Sequence, residues 1–178
     1  DWFGAIPDAS ANTGIGTDSG VAINKAILAG NSATGAYGYI KFNSGNYLIE
    51  TPVVVPFLGI VLEGAGKYNT ILVCKTTFTG KMVSFNGTAG PPNVLRGMGV
   101  IAAVGGAFSA TGIEANSNGA FISDVWIGGL GVGIKLNSTD QFVFDFACEY
   151  NLNAIYCTSS QQNISNGTTF FDAQGIVI

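Results

Sequence analysis

A short phrase that returns at a constant interval in the C-terminal half of the chain constrains this sequence more than any other feature. The phrase is a small residue followed by isoleucine, and it recurs every 21 residues, as Gly112-Ile113, Gly133-Ile134, Ala154-Ile155 and Gly175-Ile176. When the copies are aligned, each set of equivalent residues forms a column. Some columns are apolar in every copy and others are polar, and one polar column holds Asp124, Asp145 and Asn166. An internal repeat of this length predicts a solenoid, in which each unit buries its apolar side only against its neighbours.

The composition of each copy indicates the kind of solenoid. Short runs of Ile, Val and Phe alternate with clusters of Gly, Asn, Ser and Thr, which is typical of strands separated by turns. About 21 residues are too few for a pair of helices but suit one coil of strands, so we predict an all-β, single-stranded parallel β-helix. A leucine-rich repeat is the main alternative, but the sequence lacks its leucine ladder and its asparagine at a fixed offset.

The first 38 residues are predicted to cap this solenoid. Thr17 or Asp18 is placed to begin a helix and Gly30 to end it, with apolar residues at helical spacing between them, which predicts an α-helix at about residues 18–29. Such a helix can cover the apolar core and unpaired edge at the open end of the strands. We therefore divide the chain into an N-terminal cap, residues 1–38, and β-helix rungs, residues 39–178. Because it lacks an initial methionine and stops on the first strand of a new rung, we expect a truncated piece of a longer protein.

Charge and composition exclude several classes of function. The chain has seven basic residues and a net charge of −4, which argues against nucleic acid or an anionic membrane surface as partner. It contains no histidine, which removes the catalytic triads and dyads that need one and most zinc sites, so we expect no metal and no other cofactor. No run of 18 apolar residues occurs, so we expect no insertion into a membrane.

The N-terminal half carries a second pattern, made of motifs in a fixed order. They are Phe3-Gly4-Ala5, Thr17-Asp18, Ile40-x-Phe42-x-x-Gly45-x-Tyr47-x-Ile49 and Glu63-Gly64-x-Gly66. This order resembles the start of the pectate-lyase-like right-handed parallel β-helix proteins, and within them it is most similar to bacteriophage tailspike and tail-fibre polysaccharide depolymerases. The resemblance covers about residues 1–75. It departs from the family pattern at Gly14-Ile15-Gly16, where the family has Gly-Asp-Gly, and at Asp18-Ser19, where it has paired acids.

The resemblance implies a right-handed β-helix that acts on carbohydrate. It implies a phage protein whose host receptor is a bacterial surface polysaccharide, such as capsule, exopolysaccharide or lipopolysaccharide. The protein would bind this polysaccharide and depolymerise it as a glycoside hydrolase or a polysaccharide lyase. It would be a homotrimer in the virion tail with other phage tail or baseplate proteins as partners; secretion is the alternative location. The alternative function is a non-catalytic receptor-binding or structural virion fibre with a β-helix shaft.

Carboxylates in neighbouring rungs are the candidates for catalysis. Asp124 and Asp145 share a column, so they lie about 4.8 Å apart if both point outward. Glycosidases use two carboxyl groups about 5–5.5 Å apart when they retain configuration and about 6.5–9.5 Å apart when they invert it. We therefore predict Asp124, Asp145 and the nearby Glu149 as catalytic residues. The alternative is a turn ladder, in which these side chains bond the local backbone.

Four further residues are predicted to bind substrate. Trp126 and Tyr156 are aromatic residues that can stack on sugar rings. Glu114 and Lys135 share the third column of the repeat and supply charged groups. The alternatives are that the aromatic side chains fill the core and that Glu114 and Lys135 form an ion pair between rungs.

Overall fold

One helix and fourteen short strands make up the part of the chain that the computed structural model describes, residues 3–34, 37–87 and 91–178. The helix, α1, spans Gly20–Thr34. The strands are β1 Gly38–Lys41, β2 Gly45–Leu48, β3 Val53–Val55, β4 Ile60–Glu63, β5 Thr70–Cys74, β6 Lys81–Phe85, β7 Val94–Ala102, β8 Ala107–Ala115, β9 Phe121–Gly128, β10 Leu130–Leu136, β11 Gln141–Glu149, β12 Asn153–Cys157, β13 Gln162–Phe170 and β14 Gln174–Val177.

The strands wind into rungs with three faces. Every pairing between them is parallel. Strands β3, β6, β8, β10, β12 and β14 form one sheet, which we call face 1. In the other sheet, β4 pairs with the start of β7 and β5 pairs with its end, so this sheet has two halves. We call the half that begins with β1 and β4 face 2, and the half that begins with β2 and β5 face 3. This architecture confirms the predicted parallel β-helix.

Residues with left-handed backbone form the corners between the faces. They stand in three columns spaced by 21 residues, which are Gly119, Asp140 and Gln161; Asp124, Asp145 and Asn166; and Gly129, Tyr150 and Phe171. Gly97 continues the second column one rung before Asp124. Glycine adopts positive φ angles freely because it has no Cβ atom, and asparagine and aspartate adopt them more readily than other residues because their short polar side chains can hydrogen-bond locally. The acidic column of the repeat is therefore the corner between faces 2 and 3.

Inward side chains stack from rung to rung to form the core. On face 1, Ile113, Ile134 and Ile155 lie in one registered column and are fully buried. Each buried isoleucine stabilises the fold by about 1.5–3 kcal/mol relative to an exposed one. The three cysteines are free and buried in the same core. Burial raises the pKa of Cys74 to about 12. This thiol therefore stays protonated and packs as a small apolar group.

The predicted capping helix is present and closes the first rungs. It begins two residues after the predicted start and continues to Thr34, beyond the predicted end at about residue 29. It packs against β1, β3 and β4, and its Ile23 and Ile27 are buried in the common core. The helix thus removes the apolar end of the solenoid from water, as the sequence predicted. The division into a cap and rungs at residue 38 stays a prediction.

Asp18 joins this helix to the first rung. Its Oδ1 atom accepts hydrogen bonds from the backbone N–H groups of Gly20, Glu50 and Thr51, at 3.0, 3.0 and 3.2 Å. The hydroxyl of Thr51 donates to Oδ2 at 2.6 Å. Gly20 lies so close to this turn that a Cβ atom on it would be 1.9 Å from the carbonyl oxygen of Thr51. Only glycine fits at the start of the helix.

The segment before the helix covers part of face 3 from outside. Asp8 and Asp18 pair with two residues of β2, and the residues between them loop over the following strands. A second apolar cluster lies beneath this loop, formed by Ala9, Leu48, Ile71, Val73, Ile101 and Ala103. Trp126, in the next rung, packs against the edge of the cluster. Face 3 is therefore covered in its first three rungs, and its outer surface continues from Trp126 onward.

In the described part of the chain, no helix is long and apolar enough to cross a membrane.

Candidate functional site

Two of the predicted catalytic carboxylates lie at the corner between faces 2 and 3, with a lysine between them. The Nζ atom of Lys67 is 3.6 Å from Oδ1 of Asp124 and 3.3 Å from Oδ1 of Asp145. The side chains of the aspartates are 44% and 50% exposed, and that of Lys67 is 22% exposed. Both carboxylates therefore keep oxygen atoms open to solvent while they share one ammonium group.

Lys67 reaches this corner because glycines let its loop, residues 64–69, lie against the next rung. A Cβ atom on Gly64 would lie 2.2 Å from the carbonyl oxygen of Gly97, and one on Gly99 would lie 3.0 Å from the carbonyl oxygen of Lys67. Larger residues at these positions would push the loop away. Gly97 also occupies the corner column without a side chain, so nothing in that column stands between Lys67 and the two aspartates.

Two aromatic rings lie beside the ion pairs. The ring centroids of Tyr68 and Trp126 are 5.6 Å apart, with a 53° angle between the ring planes. The Nζ atom of Lys67 is 5.9 Å from the centroid of Tyr68, and the tyrosine is 59% exposed. The Nε1 atom of Trp126 is buried and has no hydrogen-bond partner among the described residues. We call Lys67, Tyr68, Asp124, Trp126 and Asp145 the corner site.

The charges of the corner site limit the proton transfers that it can perform. Partial burial lowers the pKa of Lys67, but the hydrogen bond from Lys67 to Asp145 and the charges of both aspartates raise it more, to above its ordinary value. Lys67 is therefore an ammonium group at neutral pH, which donates hydrogen bonds and does not act as a base. The corner site as it stands suits the binding of hydroxyl groups, because it offers carboxylate acceptors and an ammonium donor.

The spacing of the two carboxylates allows the retaining glycosidase geometry. Both Oδ1 atoms contact the same nitrogen, so they lie within about 7 Å of each other, a range that includes the separation of about 5–5.5 Å used by retaining enzymes. The ammonium group of Lys67 occupies the space between them. Proton donation to a glycosidic oxygen at this place therefore requires Lys67 to move away.

Glu149, the third predicted catalytic residue, lies on face 3 and not at the corner. It pairs in register with Gly128, which is two residues beyond Trp126 on β9. It is half-buried and shares the outer side of face 3 with Trp126. A ligand that covers this face from the corner onward would reach both residues.

A second polar cluster lies on face 1. The Glu114 side chain is 4% exposed and forms ion pairs with Lys81 and, at 3.4 Å, with Lys135. The Nδ2 atoms of Asn116 and Asn137 donate to it at 3.1 and 3.2 Å. Burial raises the pKa of Glu114, but Lys81, Asn116 and Lys135 lower it more, to below its ordinary value. A buried carboxylate with four partners favours the ion-pair interpretation of this column.

Comparison with known proteins identifies the fold. No family model and no curated protein matches this sequence. ORF18 of Geobacillus virus E2 matches with a TM-score of 0.63 and 17% identity, over 94% of this chain and 40% of that one. The A-module of the mannuronan C-5 epimerase AlgE4 from Azotobacter vinelandii matches with a TM-score of 0.62 and 15% identity, over 96% of this chain and 57% of that one. This chain shares the parallel β-helix fold of these proteins.

A third parallel β-helix protein also matches. It is the catalytic unit of the thermostable GH87 α-1,3-glucanase from Streptomyces thermodiastaticus strain HF3-3, with a TM-score of 0.51 and 18% identity, over 99% of this chain and 41% of that one. This β-helix therefore spans less than two thirds of each of the three structures. At these identities the likeness shows the fold alone.

The β-helix places the predicted site residues in three regions. Asp124, Asp145 and Trp126 meet at the corner site, Glu149 lies further along face 3, and Glu114, Lys135 and Tyr156 lie in one registered column of face 1. Faces 1 and 3 are separate surfaces of each rung, so the column on face 1 is separate from the other two regions. Their roles in catalysis and binding stay predictions.

Two members of the corner site, Lys67 and Tyr68, were not predicted from the repeat. They belong to the loop between β4 and β5, which lies outside the 21-residue repeat, so no column contained them. The available signal was the glycine pair Gly64-x-Gly66 followed directly by a lysine and a tyrosine. Such a turn carries polar and aromatic groups outward at the rung's corner.

Proposed function

We propose that this protein is a polysaccharide-binding β-helix protein that holds a bacterial surface polysaccharide at the corner site. The observation that carries the proposal is the contact of Lys67 with Asp124 and Asp145 beside the rings of Tyr68 and Trp126. Sugars present hydroxyl groups at their edges and C–H groups on their faces. The charged groups match the hydroxyls, and the exposed tyrosine ring matches the apolar face.

The structural neighbours support a carbohydrate ligand and a phage context. Two of them are named as enzymes of polysaccharides, a mannuronan epimerase and an α-1,3-glucanase, and the third is a protein of a virus. The finer proposal is a phage tailspike-like or tail-fibre protein in the virion tail. It would act as a homotrimer attached to other tail or baseplate proteins, with capsule, exopolysaccharide or lipopolysaccharide as host receptor.

Depolymerisation is the second candidate function, and the spacing of the carboxylates favours it. Asp124 and Asp145 lie within about 7 Å of each other, close enough for retaining glycoside hydrolysis. Glu149 adds a third carboxylate on the adjoining face. In this version the incoming sugar displaces Lys67. One aspartate, in its protonated form, then donates its proton to the glycosidic oxygen, and the bond from this oxygen to the anomeric carbon breaks as the other aspartate attacks that carbon. The first aspartate next takes a proton from a water molecule, which hydrolyses the glycosyl-enzyme and restores both carboxyl groups.

The binding proposal is tested by affinity electrophoresis through gels that contain purified bacterial surface polysaccharides. We expect at least one polysaccharide to retard the protein, and Tyr68→Ala to weaken the interaction about tenfold. Tyr39→Ala is the matched control, because Tyr39 lies on face 2 with a similar exposure, 56% against 59%. Equal retardation of both variants would place binding elsewhere, and no retardation by any polysaccharide would refute the proposal.

The catalytic version is tested on the same polysaccharides by assays for new reducing ends and for unsaturated products. If oligosaccharides appear and Asp124→Asn or Asp145→Asn abolishes them while binding persists, the two aspartates are catalytic residues. Products that persist in both variants would contradict catalysis at the corner site. Retardation without products supports the non-catalytic receptor-binding protein.

A further inference from the structure

We infer that the corner site selects neutral polysaccharides and rejects those that carry a carboxylate on each sugar. The inference rests on the proposed function and names the chemical class of its ligand. It starts from the charge balance of the corner site, in which one ammonium group faces two carboxylates. The net charge of the site is therefore −1 when all three groups are ionised.

The cation of the corner site is already engaged. Lys67 contacts both Asp124 and Asp145, and its hydrogen bond goes to Asp145. A carboxylate on a sugar would compete with these two for the same ammonium group. It would also lie near two negative charges, and like charges that meet in a binding site oppose association.

The surroundings add negative charge and no further cation. Residues 97–178, which begin at the corner glycine of β7, carry one basic residue and six acidic residues, two of which are Asp124 and Asp145 themselves. That basic residue is Lys135, which pairs with Glu114 on face 1. Glu149 shares the outer side of face 3 with Trp126, and Asp140 is exposed at another corner. A chain laid along face 3 from the corner therefore meets the carboxylate of Glu149 and no basic side chain.

The other cations of the protein lie elsewhere and most are paired. Lys75 pairs with Glu50, and Arg96 pairs with Glu63 on face 2. Lys81 is the second partner of Glu114 on face 1. Lys25 and Lys41 belong to α1 and β1, at the opposite end of the solenoid from the rungs that hold Asp145. A polyuronate therefore finds no row of free cations beside the corner site, whereas a hydroxyl or amide group of a neutral sugar meets good acceptors.

The test compares two hexasaccharides of matched length, a neutral α-1,3-glucan and an anionic mannuronan, together with capsular polysaccharides of neutral and of uronate-containing type. Binding is measured by calorimetry at about 20 mM and about 300 mM salt, since salt screens exposed charges. We expect the tightest ligands to be neutral, with affinities that hardly change with salt. We expect uronate-containing ligands to bind at least about tenfold more weakly at low salt, with a smaller difference at high salt.

A charge variant sharpens the comparison. In the double variant Asp124→Asn, Asp145→Asn the Lys67 ammonium loses both anionic partners, so the site changes from a net charge of −1 to +1. Uronate-containing ligands should then gain at least about tenfold in affinity relative to neutral ones. The matched control is Asp140→Asn, which changes one exposed carboxylate outside the corner site and should leave the ratio unchanged.

The outcomes separate the inference from the proposed function. If a uronate-containing ligand binds the wild-type protein most tightly and Tyr68→Ala weakens it, the corner site binds polysaccharide but the inference is wrong. If none of the ligands binds, the proposed function fails, and the inference fails with it. If neutral ligands bind most tightly and the double variant reduces this preference at least about tenfold, the inference holds; a preference that the double variant leaves unchanged overturns it.

Discussion

The Nζ atom of Lys67 lies 3.3 Å from Oδ1 of Asp145, although 78 residues separate them in the sequence. Asp145 belongs to the third rung after that of Lys67, and with rungs about 4.8 Å apart the strands of these two rungs are about 14 Å from each other along the solenoid. Repeats of a solenoid ordinarily contact only their neighbours. The loop of residues 64–69 is thus an addition to the repeat that brings a cation to an acidic corner.

Removal of the lysine should affect stability only slightly. Lys67→Met breaks two ion pairs whose carboxylates are 44% and 50% exposed, and exposed pairs contribute at most about 1 kcal/mol each. We expect the free energy of unfolding, measured with urea, to fall by no more than about 2 kcal/mol. Lys25→Met, at an exposed position of α1, is the control. A loss above about 3 kcal/mol would mean that the loop supports the fold and not a surface site.

Glu114 should matter far more to stability than a comparable exposed acid. Glu114→Gln keeps the shape but removes the charge that faces Lys81 and Lys135 in a site only 4% exposed, so we expect a loss of about 1–3 kcal/mol at neutral pH. The control is Glu50→Gln, whose side chain is 44% exposed beside Lys75 and should cost less than about 1 kcal/mol. Equal losses from the two variants, in chemical denaturation, would contradict the structural role of Glu114.

The same carboxylate predicts a pH dependence. The pKa of Glu114 in the folded protein lies below its ordinary value of 4.5, so below that pH the unfolded chain binds the proton more readily than the folded one. Its contribution to stability is therefore fully present well above pH 4.5 and is lost as the pH falls through the lower, folded pKa. Thermal melting from pH 7 to pH 2.5 should show a shallower acid slope for Glu114→Gln than for the wild type. Identical slopes would refute this assignment.

Two glycines of α1 should respond in opposite directions to alanine. Alanine in a helix is ordinarily about 1 kcal/mol more favourable than glycine. At Gly30 the nearest atom to a new Cβ is 3.5 Å away, so Gly30→Ala should stabilise the protein by about 0.5–1 kcal/mol. At Gly20 the new Cβ would lie 1.9 Å from the carbonyl oxygen of Thr51, so Gly20→Ala should destabilise it despite the helix propensity. Stabilisation by both, in thermal melts, would contradict the close packing of the helix start on the first rung.

The corner columns predict which substitutions the repeat tolerates. Asp140 has a φ angle of 56° and is exposed, so Asp140→Gly should leave the free energy of unfolding within about 0.5 kcal/mol of the wild type. Asp140→Val should lower it by about 1–2 kcal/mol, because a β-branched side chain disfavours left-handed backbone. Urea unfolding of the two variants measures this difference. Equal stabilities would mean that this corner does not require the left-handed conformation.

The repeat made the fold predictable because each rung repeats the same physical solution. Asp124, Asp145 and Asn166 recur in one column because each rung needs a residue that tolerates positive φ at the same corner. The turn interpretation of this column is therefore consistent with its backbone, and the catalytic interpretation depends on side chains that the same corner exposes. A residue type that serves both purposes cannot be assigned to one of them from the sequence.

The site itself was only partly predictable, for a geometric reason. Trp126 and the two aspartates lie within regular rungs, so their column positions could be inferred from the period. Lys67 belongs to an irregular rung, and its approach depends on Gly97 and Gly99, which have no side chains to signal a contact. Lys81, the unforeseen partner of Glu114, likewise begins a strand ahead of the repeat.

The most direct test of the account is the fluorescence of Trp126 during a titration with polysaccharide. Trp126 is one of two tryptophans, so the Trp2→Phe variant makes it the single indole reporter. We expect a polysaccharide that binds the protein to shift this emission until the change saturates, and we expect Tyr68→Ala to weaken the apparent affinity about tenfold while Tyr39→Ala does not. If calorimetry shows binding of the polysaccharide while the emission of Trp126 stays constant, the ligand binds elsewhere and the corner site is not the functional site.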